Sequence, residues 1–233
     1  VIMDVVYNHT FVGGESHLNQ LVPDYFYRFR QDSTWSNASG CGNETASERA
    51  MMRKFIIESV VYWATEYKVD GFRFDLMGIH DIETMNAIRA ALDKVDPTIY
   101  VYGEGWTADS SPLPEEKRAV KKNAKLLNNI GVFSDDLRDA LKGSWMNKEI
   151  PGFASGVDSL EESVKFGITA AAFHPQVDYT KPIYSKEPYT NNPTQIINYV
   201  SCHDDMCLVD KLNLSKPAGT TPEELVRFNK LAQ

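Results

Sequence analysis

The stretch Gly71-Phe72-Arg73-Phe74-Asp75-Leu76 carries the decision on fold. Side chains alternate across a strand, so Gly71, Arg73 and Asp75 fall on one face and Phe72, Phe74 and Leu76 on the other. The aromatic face belongs against helices, which sends an arginine and a carboxylate to the opposite side. An open sheet covered on both sides would bury that pair among apolar groups, at a cost on the order of several kcal/mol per ion. A closed parallel barrel avoids the cost, because its inner face is polar near the top, where strand ends meet.

Outward from this stretch, short apolar runs recur at Val1 to Tyr7, Ile99 to Gly103, Ile130 to Ser134 and Ile196 to Ser201, each the length of a buried strand. Helical patterns separate them. Met52, Ile56, Val60, Trp63 and Tyr67 form one apolar stripe over Ser47 to Tyr67. Ile82, Met85, Arg89 and Leu92 share a second face behind an Asp81 N-cap. Weaker helices are expected at Glu115 to Leu127, Asp135 to Lys142, Leu160 to Phe166 and Pro222 to Leu231. Alternating strands and helices mean an α/β fold with a parallel sheet. The connections Thr10 to Ala46, Trp106 to Asn129 and Gly143 to Gln195 are far longer than structural loops need, and loops of that length are usually either functional or disordered.

The strand ends bring polar groups to one rim: Asn8 and His9 after the first run, Asp75 after the second, Glu104 after Tyr100-Val101-Tyr102-Gly103, and His203, Asp204 and Asp205 after the last. Two carboxylates on neighbouring strands with an arginine between them suit cleavage of a glycosidic bond, which needs one carboxyl protonated and another ionised. Arg73, on the face of Asp75, favours the ionised form of that carboxylate. Glu104 has no cation as close in sequence, and a less polar setting there is the one a general acid requires.

The segments Asp4-Val5-Val6-Tyr7-Asn8-His9, Gly71 to Asp75, Tyr102-Gly103-Glu104-Gly105-Trp106 and Val200-Ser201-Cys202-His203-Asp204 resemble, in order, the four short regions that mark the alpha-amylase superfamily of glycoside hydrolases. Ser39 to Asp70 and Gly71 to Asp81 resemble the type I pullulanases, which cleave α-1,6 linkages in pullulan and branched α-glucans. The resemblance covers essentially the whole chain. It implies a retaining double displacement in which Asp75 is the nucleophile, Glu104 the general acid and then base, and Asp204 the carboxylate that stabilises the transition state. It places Arg73, His9, His203 and Asn8 around the sugar, with Asp4 as structural support, and Trp106 is expected to touch substrate. The motif positions further imply a partial (β/α)8 TIM barrel, about its third to seventh units, residues 1–233 being a fragment of the catalytic domain without the first two units and the closing strand. After His-Asp the family most often has Asn, whereas Asp205 stands here, expected to point away or meet a cation. Other branch-point enzymes of the superfamily (isoamylase, neopullulanase, branching enzyme) and an inert glucan-binding or scaffold fragment are the alternatives.

Composition narrows the partners. Of 233 residues 42% are apolar, and 24 basic against 32 acidic side chains give a formal charge of −8. That balance, with no basic cluster, points away from nucleic acid, and Glu58 and Glu66 interrupt the richest apolar stretch well short of a membrane span. The partner expected is an α-glucan polysaccharide or oligosaccharide, with another chain or a lattice partner at the open edge of the barrel. Localisation is left open by an N-terminus that starts inside a strand. Cys41, Cys202 and Cys207 are too few and too scattered for a disulfide scaffold or a four-ligand zinc site, and Cys202 is expected as a small buried side chain. No cofactor is required; a structural calcium, with Asn8 or Asp109 as a donor, fits the oxygen-rich loops of the family. The aromatic crowd Tyr25, Phe26, Tyr27, Phe29 and Trp35 is read mainly as loop anchoring through buried area.

Overall fold

A computed structural model describes residues 1–233. It is a mixed α/β structure with five strands hydrogen-bonded in the order β1-β2-β3-β4-β5. These are β1 (Ile2–Val5), β2 (Gly71–Phe74), β3 (Tyr100–Gly103), β4 (Gly131–Phe133) and β5 (Ile196–Ile197), and β1, β2, β3 and β4 pair in parallel. No helix is long and apolar enough to cross a membrane. The chain divides into two compact units, Val1–Val132 and Phe133–Gln233.

In the first unit the alternation read from Gly71 to Leu76 holds. Phe72 and Phe74 are fully buried on the helix side, and Arg73 faces the other way. The register sets Asp4 beside Arg73 and Arg73 beside Tyr102, so these three polar side chains form one row across the sheet. Below them Ile2, Gly71 and Tyr100 form a second row. Helix α2 (Ala50–Tyr67) packs through Met52, Ile56, Val60 and Ala64. The stripe thus continues to Ala64 at a strict spacing of four, where the sequence pattern favoured Trp63 and Tyr67. Those two rings meet each other instead in a tilted contact, 4.5 Å between centroids, and Tyr67 is exposed. Helix α3 (Ile82–Asp93) begins at Asp81, whose side chain accepts from Thr84 N as an N-cap should.

Glu115 to Leu127 is not the helix that was expected. It forms two short 3-10 turns, Glu115–Lys117 and Lys121–Leu126, because the backbone between them is extended. Arg118 bridges Asp81 there, and Ala119 N donates to His80 O at 2.8 Å. The first long loop carries a five-residue helix α1 (His17–Leu21) capped by Ser16. Its aromatic residues anchor it: Tyr27 is fully buried, and Trp35 meets the rings of Tyr27 and Phe29 at 5.1 and 4.7 Å.

The second unit holds α4 (Asp135–Lys142), α5 (Glu161–Ile168), β5, α6 (Leu208–Ser215) and α7 (Pro222–Ala232). Helix α4 starts at the cap Ser134, α7 at a capping box of Thr221 and Glu224, and α6 was not anticipated. Leu208, Leu212, Ala154 and Ala232 form its buried cluster of apolar side chains. The run Ile196 to Ser201 is strand only over Ile196–Ile197. Past it Tyr199 meets the ring of Phe133 in a tilted contact, 4.8 Å between centroids, and accepts from Arg138 Nη1 at 2.8 Å. With the strand ended so early, Cys202 is exposed rather than buried.

Candidate active site

The register that aligns Phe74 with Gly103 brings the next residues, Asp75 and Glu104, to the same level at the ends of two adjacent parallel strands. Both are tied to one guanidinium. Arg73 Nη1 donates to Asp75 Oδ1 at 2.8 Å and to Asp4 Oδ1 at 2.9 Å, while Nη2 donates to Glu104 Oε1 at 2.6 Å. The Arg73 side chain is 8% exposed. Burial pulls its pKa down, but the bond to Asp75 and the charges of Glu104 and Asp4 outweigh that and hold it above the ordinary value. Tyr102, next in the row, has its hydroxyl pushed up, chiefly by burial.

Glu104, which has no cation as close in sequence, is reached in space by that same guanidinium. Arg73 is 31 positions away in sequence and in direct contact in space, since neighbouring strands place their side chains side by side. The other carboxyl oxygen, Oε2, accepts from Leu76 N at 2.8 Å, and the Glu104 carbonyl accepts from Gly78 N at 2.9 Å. The turn after β2 therefore grips both ends of this residue. It can come that close because Gly78 has no side chain: a Cβ there would lie 2.5 Å from Trp106 O and 2.8 Å from Trp106 N.

Asn8 is fully buried and shared between two functional groups. Its Nδ2 donates to Asp75 Oδ2 at 3.0 Å and to the Asp75 carbonyl at 2.8 Å. Its Oδ1 lies 2.6 Å from His9 Nδ1. An amide oxygen only accepts, so Nδ1 of His9 carries the proton and donates, leaving Nε2 as the outward nitrogen. The first unit thus brings together Asp4, Asn8, His9, Arg73, Asp75 and Glu104. Trp106 follows, half-buried, with its backbone against Gly78.

His203 and Asp204 belong to the second unit, exposed in the turn after β5. Asp204 Oδ1 accepts from Asp205 N at 3.0 Å. Asp205 has a left-handed backbone, φ 62°, and it does meet cations: its carboxylate pairs with Lys142 at 3.5 Å and Lys148 at 3.3 Å. Burial raises its pKa, but the bond from Met206 N and the two lysines prevail and lower it. Lys142 is itself 1% exposed, a contact that sequence spacing could not disclose. Among side chains suited to metals, no group of three or more His, Cys, Asp or Glu gathers in the chain. Asn8 is committed to Asp75 and His9, and Asp109 accepts from Ser110 N beside it.

No family model matches the chain. It is 41% identical over 217 residues to the pullulanase of Bacillus subtilis (strain 168), a match covering 93% of this chain and 29% of that protein. The chain belongs to the pullulanase-type glycoside hydrolases. Pullulanase 1 of the Arabidopsis thaliana chloroplast is 34% identical over 280 residues, which cover 100% of this chain and 28% of that one. Among solved structures, apo pullulanase from Paenibacillus barengoltzii matches with a TM-score of 0.89 and 47% identity over 99% of this chain and 34% of its own. Type I pullulanase from Bacillus subtilis str. 168, complexed with maltose, matches with a TM-score of 0.90 and 39% identity over 99% of this chain and 31% of its own. This pullulanase-type chain therefore spans about a third of the length of the relatives it matches.

Proposed function

We propose that this chain is part of a (β/α)8 catalytic barrel and supplies the catalytic carboxylates of a debranching enzyme that hydrolyses α-1,6-glucosidic linkages in pullulan and branched α-glucans with retention of configuration. The observation that carries the reading is the Arg73 bridge: two carboxylates at the ends of adjacent strands accept from one guanidinium. A retaining pair needs a separation of roughly 5–5.5 Å, which two carboxylates bound to the two ends of one guanidinium can adopt. The substrate class is supported by relatives solved with maltose and with maltohexaose and alpha-cyclodextrin.

In the first step an Asp75 oxygen attacks the anomeric carbon while Glu104 gives its proton to the departing glycosidic oxygen. Asp4, Asp75 and Glu104 all pair with the one guanidinium of Arg73. Once Asp75 is esterified it no longer competes for Arg73, whose charge then faces Asp4 and Glu104. That suits Glu104 as the base that takes a proton from water as the ester is hydrolysed. Asn8 keeps Asp75 aimed through its amide and orients His9 toward the sugar. By the family resemblance, Trp106 and His203 are assigned to sugar binding and Asp204 to stabilising the oxocarbenium-like transition state.

The test is the product from pullulan digested by the full-length protein that contains this chain. Maltotriose is expected. Release of panose would replace this reading with that of a neopullulanase, and no cleavage would refute it.

A further inference from the structure

Arg28 and Glu44 form an ion pair away from the carboxylate trio, with side chains 4% and 0% exposed. A pair so deep is weak grounds for stability, because desolvation offsets its attraction, and fixing a geometry is the better-attested use of such groups. Its bonds are to distant parts of the unit. Arg28 Nη1 donates to Glu44 Oε1 at 3.2 Å and to the Ile79 carbonyl at 2.8 Å, and Nη2 donates to Glu48 at 2.7 Å. Glu44 also accepts from Ser111 Oγ at 2.7 Å and from Ala38 N at 2.8 Å. Three segments meet there: the first long loop, the turn after β2 and the loop after Glu104.

From the pair to Glu104 the connection is short. Ile79 closes the Met77–Ile79 turn, whose Gly78 N and preceding Leu76 N hold the carbonyl and the carboxyl of Glu104. Ser111 lies on the loop that Glu104 opens, and that loop is joined to the first one by Ala108 N and Asp109 N, which both donate to Ala38 O. Every support of Glu104 other than Arg73 named so far thus leads back to residues held by Arg28 or Glu44.

We propose that Arg28 and Glu44 are positioning residues for Glu104, fixing the Leu76–Ile79 turn and the Trp106–Ser111 loop so that its carboxyl meets the glycosidic oxygen. The inference rests on Glu104 being the general acid. A role through the acid has a signature: it matters for a poor leaving group and little for fluoride, which departs without a proton.

The experiment compares pullulan with α-maltotriosyl fluoride in the full-length protein. Arg28→Met/Glu44→Leu replaces the pair by apolar side chains of similar volume, so folding is kept, as a melting temperature checks. On pullulan kcat is expected to fall about 100-fold, the cost of a misplaced catalytic group, with KM within about threefold and turnover of the fluoride reduced no more than about fivefold. Equal losses on both substrates, or pullulan turnover within about twofold of the parent, would overturn the proposal. Should that variant not fold, Glu44→Gln keeps the shape and an acceptor, and it should show the same substrate-selective loss at about tenfold; an equal loss on both substrates refutes the role there too. Glu104→Gln is run alongside: if it still cleaves pullulan, the acid assignment has failed, which separates that failure from a failure of the positioning claim.

Discussion

His80 offers the most quantitative prediction in the first unit. Its ring is fully buried and neither nitrogen has a hydrogen-bond partner. Burial, reinforced by the Arg28 charge, overcomes the pull of Asp81 and Asp75 and lowers its pKa from 6.5 to about 4. The unfolded chain therefore binds this proton more readily than the folded one. Stability from a neutral His80 is complete above pH 6.5 and is lost as pH falls toward 4. The drop corresponds to about 3 kcal/mol in full, and about 2 kcal/mol of it is already gone at pH 5. His80→Leu removes the titration; its packing cost is the same at every pH and cancels in the comparison. Urea unfolding of parent and variant at pH 8 and pH 5 should show the parent losing about 2 kcal/mol more than the variant. Equal acid losses, or an imidazole NMR titration of His80 with a midpoint near 6.5, would refute the reasoning.

Two further perturbations bear on the same architecture. Gly78→Ala puts a methyl 2.5 Å from the Trp106 carbonyl oxygen; the turn must move off Glu104, at about 1–3 kcal/mol of stability and a loss of kcat, whereas an unchanged kcat would mean that the grip of the turn is irrelevant to turnover. Asp205→Asn leaves Lys142, 1% exposed, without its countercharge, so chemical denaturation should show a loss of about 2 kcal/mol, part of it recovered in the double variant Lys142→Met/Asp205→Asn. Additive losses in that double variant would show that the two residues are not coupled.

Periodicity disclosed what local geometry controls. The face shared by Arg73 and Asp75, the stripe Met52-Ile56-Val60 and the Asp81 cap are consequences of strand and helix geometry, and each is found as read. The Glu104 to Arg73 contact is different, because it depends on which residues of β2 and β3 lie level, and the two runs do not state their own register. The loops carry no period at all. Arg28 and Glu44 sat unnoticed within a stretch read for its aromatic residues, since a salt bridge over 16 positions of irregular chain leaves no repeat. The failed helix at Glu115 to Leu127 was lost to tertiary contact: extended pairing of Arg118 and Ala119 with His80 and Asp81 overrode a modest helical propensity. The last strand shortened to Ile196–Ile197 for a similar reason, as Tyr199 is drawn to Phe133 and Arg138.

The central claim, that Asp75 attacks the sugar, is tested most directly by trapping. The full-length protein incubated with a 2-deoxy-2-fluoro maltotriosyl fluoride, which slows hydrolysis of the glycosyl-enzyme, should be labelled at one position. Peptide mass spectrometry is predicted to find the sugar on Asp75 within Gly71 to Leu76, and an ester on Asp4, Glu104 or Asp204 in its place would contradict the account.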